Sequence, residues 1–145
     1  MLAAQHDFLL LILCSPSGAG KTTLTRFLLK EFPELTFSVS HTTRAPRIGE
    51  ADKEAYHFVS RKDFDALVER DAFAEWAEVH GNRYGTGVAE LERAALEGKR
   101  GIIFDIDYQG ARQIRSRFSN TVGIFVLPPT LAELRRRLEG RGSDD

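Results

Sequence analysis

The run Phe8-Leu-Leu-Leu-Ile-Leu-Cys14 leads directly into Ser15-Pro-Ser-Gly-Ala-Gly-Lys-Thr22, and these two segments together predict the architecture of the chain. The first is short and continuously apolar, which is typical of a strand buried on both faces of a parallel sheet. The second is rich in small residues and predicts a loop. From Thr22 to Phe32 apolar residues recur at helical spacing, and Pro33 ends the pattern. Strand, loop and helix therefore open the fold.

The loop carries the pattern of a phosphate-binding loop, with Ser15 where the strict pattern begins with glycine. Its small residues let backbone N–H groups surround a phosphate, Lys21 adds a positive charge, and Thr22 offers a hydroxyl to Mg²⁺. The plain alternative is a glycine-rich turn with a solvated lysine. The residues expected to bind the phosphates of a nucleoside triphosphate are Ser17, Gly18, Ala19, Gly20, Lys21, Thr22 and Thr23.

Composition limits the class of protein. The chain has 145 residues, 42% of them hydrophobic, which fits one compact domain. A formal net charge of −1 argues against bulk electrostatic binding of nucleic acid, so anion binding must be local. Cys14 is the one cysteine, which suits a reducing cytoplasm. The longest apolar run is too short to cross a membrane and follows no basic leader, so no membrane association or signal peptide is expected.

Strands and helices alternate along the rest of the sequence, which predicts an α/β domain with a mainly parallel sheet. Further strands are expected at Thr36–Val39, Tyr56–Val59, Phe73–His80, Gly101–Asp105 and Val122–Leu127, the last as a buried strand. Further helices are expected from Ser60 through Val68 and at Val88–Glu97, Gln109–Phe118 and Thr130–Arg141. Ser60 with Asp63, and Thr130 with Glu133, are predicted helix caps, and Gly98 is predicted to end its helix. Gly81-Asn82 predicts a turn. The polar segment Ser40–Ala55 predicts a loop, and residues 42–97 resemble an insertion in the core.

Two groups of charged residues suggest chemistry beyond the first loop. Arg44 and Arg47 lie three residues apart on a proline-stiffened loop, as a clamp for a second anion requires. A solvated charged loop is the alternative. Asp105 and Asp107 follow an apolar strand and are expected to face the same way, where α/β sheets present ligand-binding groups. Asp105 is a candidate for the Mg²⁺ side, directly or through water, or else a structural acid.

Several motifs together resemble guanylate kinases over essentially the whole chain. They are the phosphate loop, Thr42-Thr-Arg-Ala-Pro-Arg47, Tyr56-His-Phe-Val-Ser60, Glu75-Trp76, Gly81-Asn-Arg-Tyr-Gly-Thr86, Asp105-Ile-Asp107 with Gln109-Gly110, and Arg137-Leu-Glu-Gly-Arg141. The resemblance implies a three-layer P-loop NTPase fold with a small α+β insertion that binds GMP. It also implies transfer of the γ-phosphoryl group of ATP to GMP, with Mg²⁺ as the cofactor.

The resemblance assigns the acceptor site residue by residue. Arg44, Arg47, Tyr56 and Tyr84 would hold the phosphate of GMP, and Ser40, Glu75, Thr86 and Asp107 would surround its guanine. The chemistry agrees, because guanine presents N1–H and a 2-amino group side by side and a carboxylate accepts from both, whereas adenine lacks that pair of donors. Tyr56 and Tyr84 are otherwise half-buried strand tyrosines, and Glu75 an exposed strand acid.

The last predicted helix resembles the mobile lid of these kinases. Arg137 and Arg141 are four residues apart on one face and would neutralise charge on the moving phosphoryl group with Lys21 and Arg44. Guanylate kinases continue beyond the point where this sequence stops, so an incomplete lid is expected, with adenine contacts beyond Asp145. The predicted organisation is a core of 1–41 and 98–133, an insertion of 42–97 and a partial lid of 134–145.

Two rival functions remain at this stage. A guanylate-kinase-like module that binds proteins and does not catalyse would keep the fold, but the intact Gly20-Lys21-Thr22 argues against it. A kinase for another nucleoside monophosphate is disfavoured because adenine offers Glu75 and Asp107 too few donors. The sequence leaves the oligomeric state open.

Overall fold

The computed structural model describes residues 8–14, 21–127 and 130–141, without the side chains of Lys21 and Arg141. Within these residues the strands are β1 (Leu9–Cys14), β2 (Leu35–Phe37), β3 (His41–Thr42), β4 (His57–Phe58), β5 (Phe73–Val79), β6 (Asn82–Gly87), β7 (Gly101–Asp105) and β8 (Thr121–Phe125). The helices are α1 (Lys21–Glu31), α2 (Arg61–Glu69), α3 (Val88–Leu96), α4 (Tyr108–Arg117) and α5 (Leu131–Arg141). No helix in this described part is long and apolar enough to span a membrane.

The first sheet has the order β2-β7-β1-β8, and each pair of neighbouring strands is parallel. β1 lies inside the sheet with its middle four residues buried, as its apolar run predicts. In the register between β1 and β7, Leu13 stands opposite Asp105. The carboxyl end of β7 therefore lies beside the end of β1, where the chain enters the segment 15–20.

Both faces of this sheet are covered, because successive side chains of a strand point to opposite sides. On one face Leu10 and Ile12 pack with Leu91 of α3 and Ile114 of α4. On the other face Leu11, Leu13 and Ile103 pack with side chains of α1. Helices α3 and α1 thus form the outer layers of a three-layer core. Although α3 falls within the predicted insertion, it packs on the core sheet.

A second sheet has the order β4-β3-β6-β5, and its strands fall almost entirely within the segment 42–97 that is predicted to be an insertion. β3 pairs in parallel with β4, whereas β6 is antiparallel to both β3 and β5. Neither β3 nor β6 was expected as a strand. β3 has only two residues, and β6 is rich in glycine and asparagine, which β-propensity disfavours. The turn expected at Gly81-Asn82 is present, with Gly81 at φ 79°.

The prediction that the last strand is buried is wrong. β8 pairs with β1 along one edge and forms the end of the sheet among the described strands. Val122, Ile124 and Phe125 are 48%, 38% and 64% exposed. An apolar run shows that a segment favours a sheet, but it does not show which neighbours the sheet provides on each side.

The expected helix caps are present where the structure describes them. Ser60 Oγ accepts from the backbone N–H of Asp63 at 3.0 Å, and Thr130 Oγ1 accepts from that of Glu133 at 3.0 Å. Each bond satisfies an N–H group that has no partner inside its helix. Gly98 follows α3 with φ 75°, as the predicted helix end requires.

Candidate active site

The end of β7 lies at the carboxyl edge of the first sheet, and α1 begins seven residues after β1 ends beside it. Thr22 and Thr23 lie in the first turn of α1, and both are exposed. Asp105 ends β7 and is partly exposed. The predicted phosphate-binding residues Ser17, Gly18, Ala19 and Gly20 lie outside the described residues, and Lys21 is described only as the first residue of α1.

Arg44 and Arg47 are brought together around one carboxylate, that of Glu50. Arg44 Nη1 donates to Glu50 Oε1 and Nη2 donates to Oε2, both at 2.9 Å. The backbone N–H of Arg47 donates to Oε1 at 2.7 Å. The hydrogen bond from Arg44 holds the pKa of Glu50 below its ordinary value, despite partial burial. The loop is thus folded around a bidentate anion-binding geometry of the kind that suits phosphate.

Two tyrosines lie beside this arginine. The guanidinium carbon of Arg44 is 5.2 Å from the centroid of the Tyr56 ring, and the rings of Tyr56 and Tyr84 are 6.0 Å apart, edge to face. Burial raises the pKa of Tyr56, and the charges of Asp105 and Tyr84 raise it further. Asp105 at the end of β7 is therefore near enough to Tyr56 for its charge to act on that hydroxyl. Arg44, Tyr56 and Tyr84 form one cluster, with Asp105 in its neighbourhood.

Glu75 forms the second part of the site. Its side chain lies in β5 opposite Thr86 of β6, and Thr86 Oγ1 donates to Glu75 Oε1 at 2.7 Å. Glu75 is only 4% exposed. Burial raises the pKa of Glu75 to about 7; the nearby charge of Asp107 adds to the rise and the hydrogen bond from Thr86 opposes it. A buried carboxyl with a free oxygen lone pair is suited to accept hydrogen bonds from a ligand.

Asp107 and Gly110 approach Glu75 from the start of α4. Asp107 is the N-cap of α4 and accepts from the backbone N–H of Gly110 at 3.0 Å. Its other oxygen accepts from Gln109 Nε2 at 3.0 Å. Gly110 is buried, and a β-carbon there would lie 2.4 Å from Glu75 Oε2. The carboxylates of Glu75 and Asp107 and the closely packed Gly110 therefore line one part of the candidate site.

The other predicted residues are Ser40, which precedes β3, and Arg137 and Arg141, which belong to α5. Ser40 is 8% exposed and immediately precedes β3, where its carbonyl accepts from the N–H of His57 at 2.8 Å. In α5, Arg137 Nε donates to Glu133 Oε1 at 2.8 Å, so its described hydrogen bond runs along its own helix. Arg141 ends α5, and its side chain is outside the described part of the chain.

Sequence reasoning missed two residues of the site, Glu50 and Gly110. Glu50 stands three residues after Arg47, close enough on a short loop to pair with the arginines, and that spacing was a usable signal. Gly110 had no such signal. Its close approach to Glu75 depends on how α4 docks against β5.

Known proteins match nearly the whole chain. A family model described as guanylate kinase matches residues 8–145. The chain is 55% identical over 140 residues to a guanylate kinase of Geobacter sulfurreducens, and the match covers 97% of this chain and 68% of that protein. It is 53% identical over 144 residues to a guanylate kinase of Nitratidesulfovibrio vulgaris, covering 99% of this chain and 69% of the relative.

A solved structure is also similar. The crystal structure of guanylate kinase from Anaplasma phagocytophilum superimposes with a TM-score of 0.76 at 34% sequence identity. The match covers 95% of this chain and 69% of that chain. The predicted α/β fold of the P-loop NTPase class is thereby confirmed.

Proposed function

Because this chain belongs to the guanylate kinase family, its reaction is phosphoryl transfer from ATP to GMP, and we propose that the residues around Arg44 and those around Glu75 form the GMP site. Arg44, Arg47, Tyr56 and Tyr84 bind the phosphate of GMP. Ser40, Glu75, Thr86 and Asp107 surround its guanine. The observation that carries this assignment is the buried Glu75 carboxyl, held between Thr86 and Gly110 with Asp107 beside it.

Guanine recognition follows from hydrogen-bonding chemistry. Glu75 Oε1 already accepts from Thr86, so the carboxylate is held in one orientation and keeps lone pairs for a base. Guanine N1–H and its 2-amino group are adjacent donors, and adenine presents no matching pair to a carboxylate. A buried carboxylate left without donors is costly, so AMP is rejected. This argument disfavours a kinase for adenine nucleotides.

Binding of the phosphate uses the arginines around Glu50. In the described structure Glu50 supplies the anionic partner of Arg44 and of the Arg47 backbone. A phosphate presents the same bidentate acceptor geometry with a larger charge. The edge-to-face tyrosines beside Arg44 supply hydroxyl donors. The acceptor oxygen of GMP is then directed towards the carboxyl edge of the core sheet, because the charge of Asp105 at that edge acts on Tyr56.

The ATP phosphates are assigned to the segment from Ser17 to Thr23 at the start of α1. Exposed hydroxyl groups in the first turn of a helix lie in the positive end of its dipole, which favours anions. Thr22 and Asp105 are oxygen ligands of the kind that Mg²⁺ prefers, and they lie at the same edge of the sheet, so the residues fit this ion. When bound, Mg²⁺ neutralises charge on the phosphates of ATP.

Catalysis rests on position and charge. Lys21, Arg44, Arg137 and Arg141 neutralise the charge that spreads over the transferring group while the GMP phosphate oxygen attacks in line. The reaction needs no covalent intermediate. We assign the protein to the cytoplasm, whose reducing conditions suit its single cysteine. The net charge of −1 argues against a nucleic-acid partner, and the short apolar run argues against a membrane partner.

ADP release in the presence of ATP, Mg²⁺ and GMP tests the proposed function. AMP in place of GMP is the substrate control, and Lys21→Ala, which removes the charge on the transferring group, is the enzyme blank. We expect GMP-dependent ADP release that AMP does not support and that Lys21→Ala reduces by at least ~100-fold. A folded sample that releases no more ADP with GMP than without it would favour the non-catalytic protein-binding module.

A further inference from the structure

The outer edge of β5 is held by side chains of α4. β5 pairs with β6 on one side, which leaves the N–H and C=O groups of alternate residues on its other edge in need of partners. Gln109, Gln113 and Arg117 project from α4 at intervals of four residues, so they share one helical face. All three donate hydrogen bonds to backbone carbonyls of β5. A core helix therefore takes the place of a neighbouring strand.

Gln113 makes the most complete of these contacts. Its Nε2 donates to the carbonyl of Trp76 at 2.7 Å, and its Oε1 accepts from the N–H of the same residue at 3.1 Å. A primary amide has both a donor and an acceptor, so one side chain satisfies both groups as a paired strand residue would. The peptide groups on either side of Trp76 are fixed, including the one that joins it to Glu75.

The other two contacts hold the same strand at its ends. Arg117 Nη1 donates to the carbonyls of Phe73 and Ala74 at 3.0 and 2.8 Å, beside the irregularity between Phe73 and Glu75 in the β5–β6 register. Such a bulge leaves backbone groups unpaired and redirects a side chain. Gln109 Nε2 donates to the carbonyl of Glu78 at a longer 3.4 Å. Glu75 thus lies between two anchored points of the strand.

Helix α4 also carries two residues that lie close to the Glu75 side chain. Asp107 caps α4, and Gly110 packs against Glu75 Oε2 one turn before Gln113. Since α4 holds the Glu75 backbone and also bears Asp107, the separation of the two carboxylates is set by how α4 docks on β5. A ligand that bridges both carboxylates requires that separation to be constant.

We propose that Gln113 is a positioning residue for guanine recognition: by binding both backbone groups of Trp76 it fixes Glu75 relative to Asp107. The proposal rests on the proposed function, because it assumes that these carboxylates receive guanine. Gln113 acts through Glu75 and contributes no group to the transfer step. Its loss therefore weakens binding of GMP and leaves the binding of ATP unchanged.

Three variants test this role. Gln113→Met keeps the length and helix propensity of the side chain and removes the amide. Gln113→Glu keeps an acceptor for the Trp76 N–H and loses the donor. Arg112→Met is the matched control, since Arg112 is exposed and precedes Gln113 on the same helix. Calorimetric titration of each folded protein with GMP gives the affinity, and initial rates give KM for GMP and for ATP separately.

We expect Gln113→Met to weaken GMP binding by about tenfold or more, with the KM for ATP unchanged, because loss of a positioning contact displaces the carboxylate. Gln113→Glu should lose less affinity, and Arg112→Met none. Urea unfolding of each variant measures any general loss of stability. If Gln113 only supports the fold, Gln113→Met would lower the free energy of unfolding and leave the GMP affinity of the folded molecules unchanged.

The outcomes separate the two proposals. If the unsubstituted protein binds GMP and Gln113→Met binds it equally tightly, the positioning role is wrong and the proposed function stands. An unsubstituted, folded protein that does not bind GMP overturns the proposed function, and the guanine role of Gln113 with it. If Gln113→Met weakens ATP and GMP binding equally, the effect is a general one and the positioning role is also wrong.

Discussion

Gly110 and Glu75 are in such close contact that a single added carbon would collide: a β-carbon at position 110 would lie 2.4 Å from Glu75 Oε2 and 3.0 Å from Glu75 Cδ. The glycine belongs to the first turn of α4, and the glutamate belongs to β5 of the other sheet. The pair therefore joins the two halves of the site at the carboxyl that is proposed to bind guanine.

Substituting Gly110 with alanine is expected to displace the Glu75 carboxyl and raise the KM for GMP about tenfold or more. Alanine favours a helix interior over glycine by about 0.5–1 kcal/mol, so intrinsic helix propensity does not explain a loss. Initial rates at varied GMP and saturating ATP measure the effect. Gly123→Ala is the control, because among the described residues no atom beyond its chain neighbours lies within 4 Å of the added carbon. An unchanged KM for Gly110→Ala would contradict the role given to this contact.

Glu75→Gln is expected to reduce the preference for GMP over AMP by at least ~10-fold, because an amide cannot accept from both guanine donors at once. The ratio of kcat/KM for the two nucleotides measures this preference. Thr25→Val, at another buried position, controls for a general effect of altering a buried polar group. Equal ratios in Glu75→Gln and the unsubstituted protein would remove Glu75 from base recognition.

The pH dependence of GMP use should also report on Glu75. Burial raises the pKa of this carboxyl to about 7, and only its ionised form accepts from both donors of guanine. In the unsubstituted protein kcat/KM for GMP should therefore rise with pH up to about 7. The profile of Glu75→Gln should lack this component. Ionisation of the GMP phosphate is common to both proteins, so the difference between the profiles isolates the carboxyl. Parallel profiles would contradict the assignment.

The Glu75 carboxyl should make the free energy of unfolding fall as the pH rises. The pKa of Glu75 in the folded protein, about 7, is above the ordinary value of 4.5, so the folded state holds this proton more firmly than the unfolded state. This proton contributes roughly 3 kcal/mol to the free energy of unfolding. The contribution is complete below pH 4.5 and is lost as pH rises through about 7. Urea unfolding at pH 5 and pH 8 should show that Glu75→Gln removes this loss. If the pH dependence of unfolding is the same in both proteins, the carboxyl is not buried as described.

His41 should have the opposite effect on stability. Burial lowers its pKa from 6.5 to about 4; the nearby His57 lowers it further, and Glu90 opposes this. The folded state thus binds this proton less readily, and the stability present above pH 6.5 is lost as pH falls towards 4. Because the ring is only partly buried, solvent screening keeps the change in the free energy of unfolding well below the roughly 3 kcal/mol that the full shift would give. His41→Gln should unfold with a weaker acid dependence in denaturant titrations at pH 7.5 and 5, and an unchanged dependence would contradict the burial of this ring.

Arg44→Lys should raise the KM for GMP by roughly 10-fold to 100-fold, because an ammonium group cannot reproduce the two parallel hydrogen bonds seen with Glu50. The KM for ATP should change little. Arg61→Lys is the control: its guanidinium is 56% exposed and lies 3.5 Å from Glu78. Initial rates at varied GMP measure the difference, and a KM equal to that of the control would contradict the phosphate role of Arg44.

Local sequence patterns predicted the elements of the core well. The run before Cys14 is a buried inner strand, Gly101–Asp105 is a strand with the expected bounds, and the caps at Ser60 and Thr130 are present. These features depend on neighbouring residues, so a local pattern is sufficient. β3 and β6 escaped prediction because pairing between the strands of the second sheet outweighs their weak propensity.

The candidate site also contains some residues that local sequence brings together and others that only tertiary packing brings together. Arg44, Arg47 and Glu50 lie within one short loop, and their association needs little beyond its turn. Glu75 and Gly110 are 35 positions apart in sequence and meet only because α4 docks on the edge of β5. The roles of all these residues stay predictions until the variants above are measured.

The helices, the strands of the core sheet, the phosphate-loop pattern and the family motifs could be obtained from the sequence alone, because spacing and side-chain chemistry are written along the chain. Tertiary structure decided which side chains meet. It left the apolar β8 at an edge, and it buried Glu75 against Thr86 and Gly110, which raises the pKa of that carboxyl. Burial and long-range pairing arise from the packing of segments distant in sequence, and no local pattern encodes the close approach of a glycine in one helix to a carboxylate in another sheet.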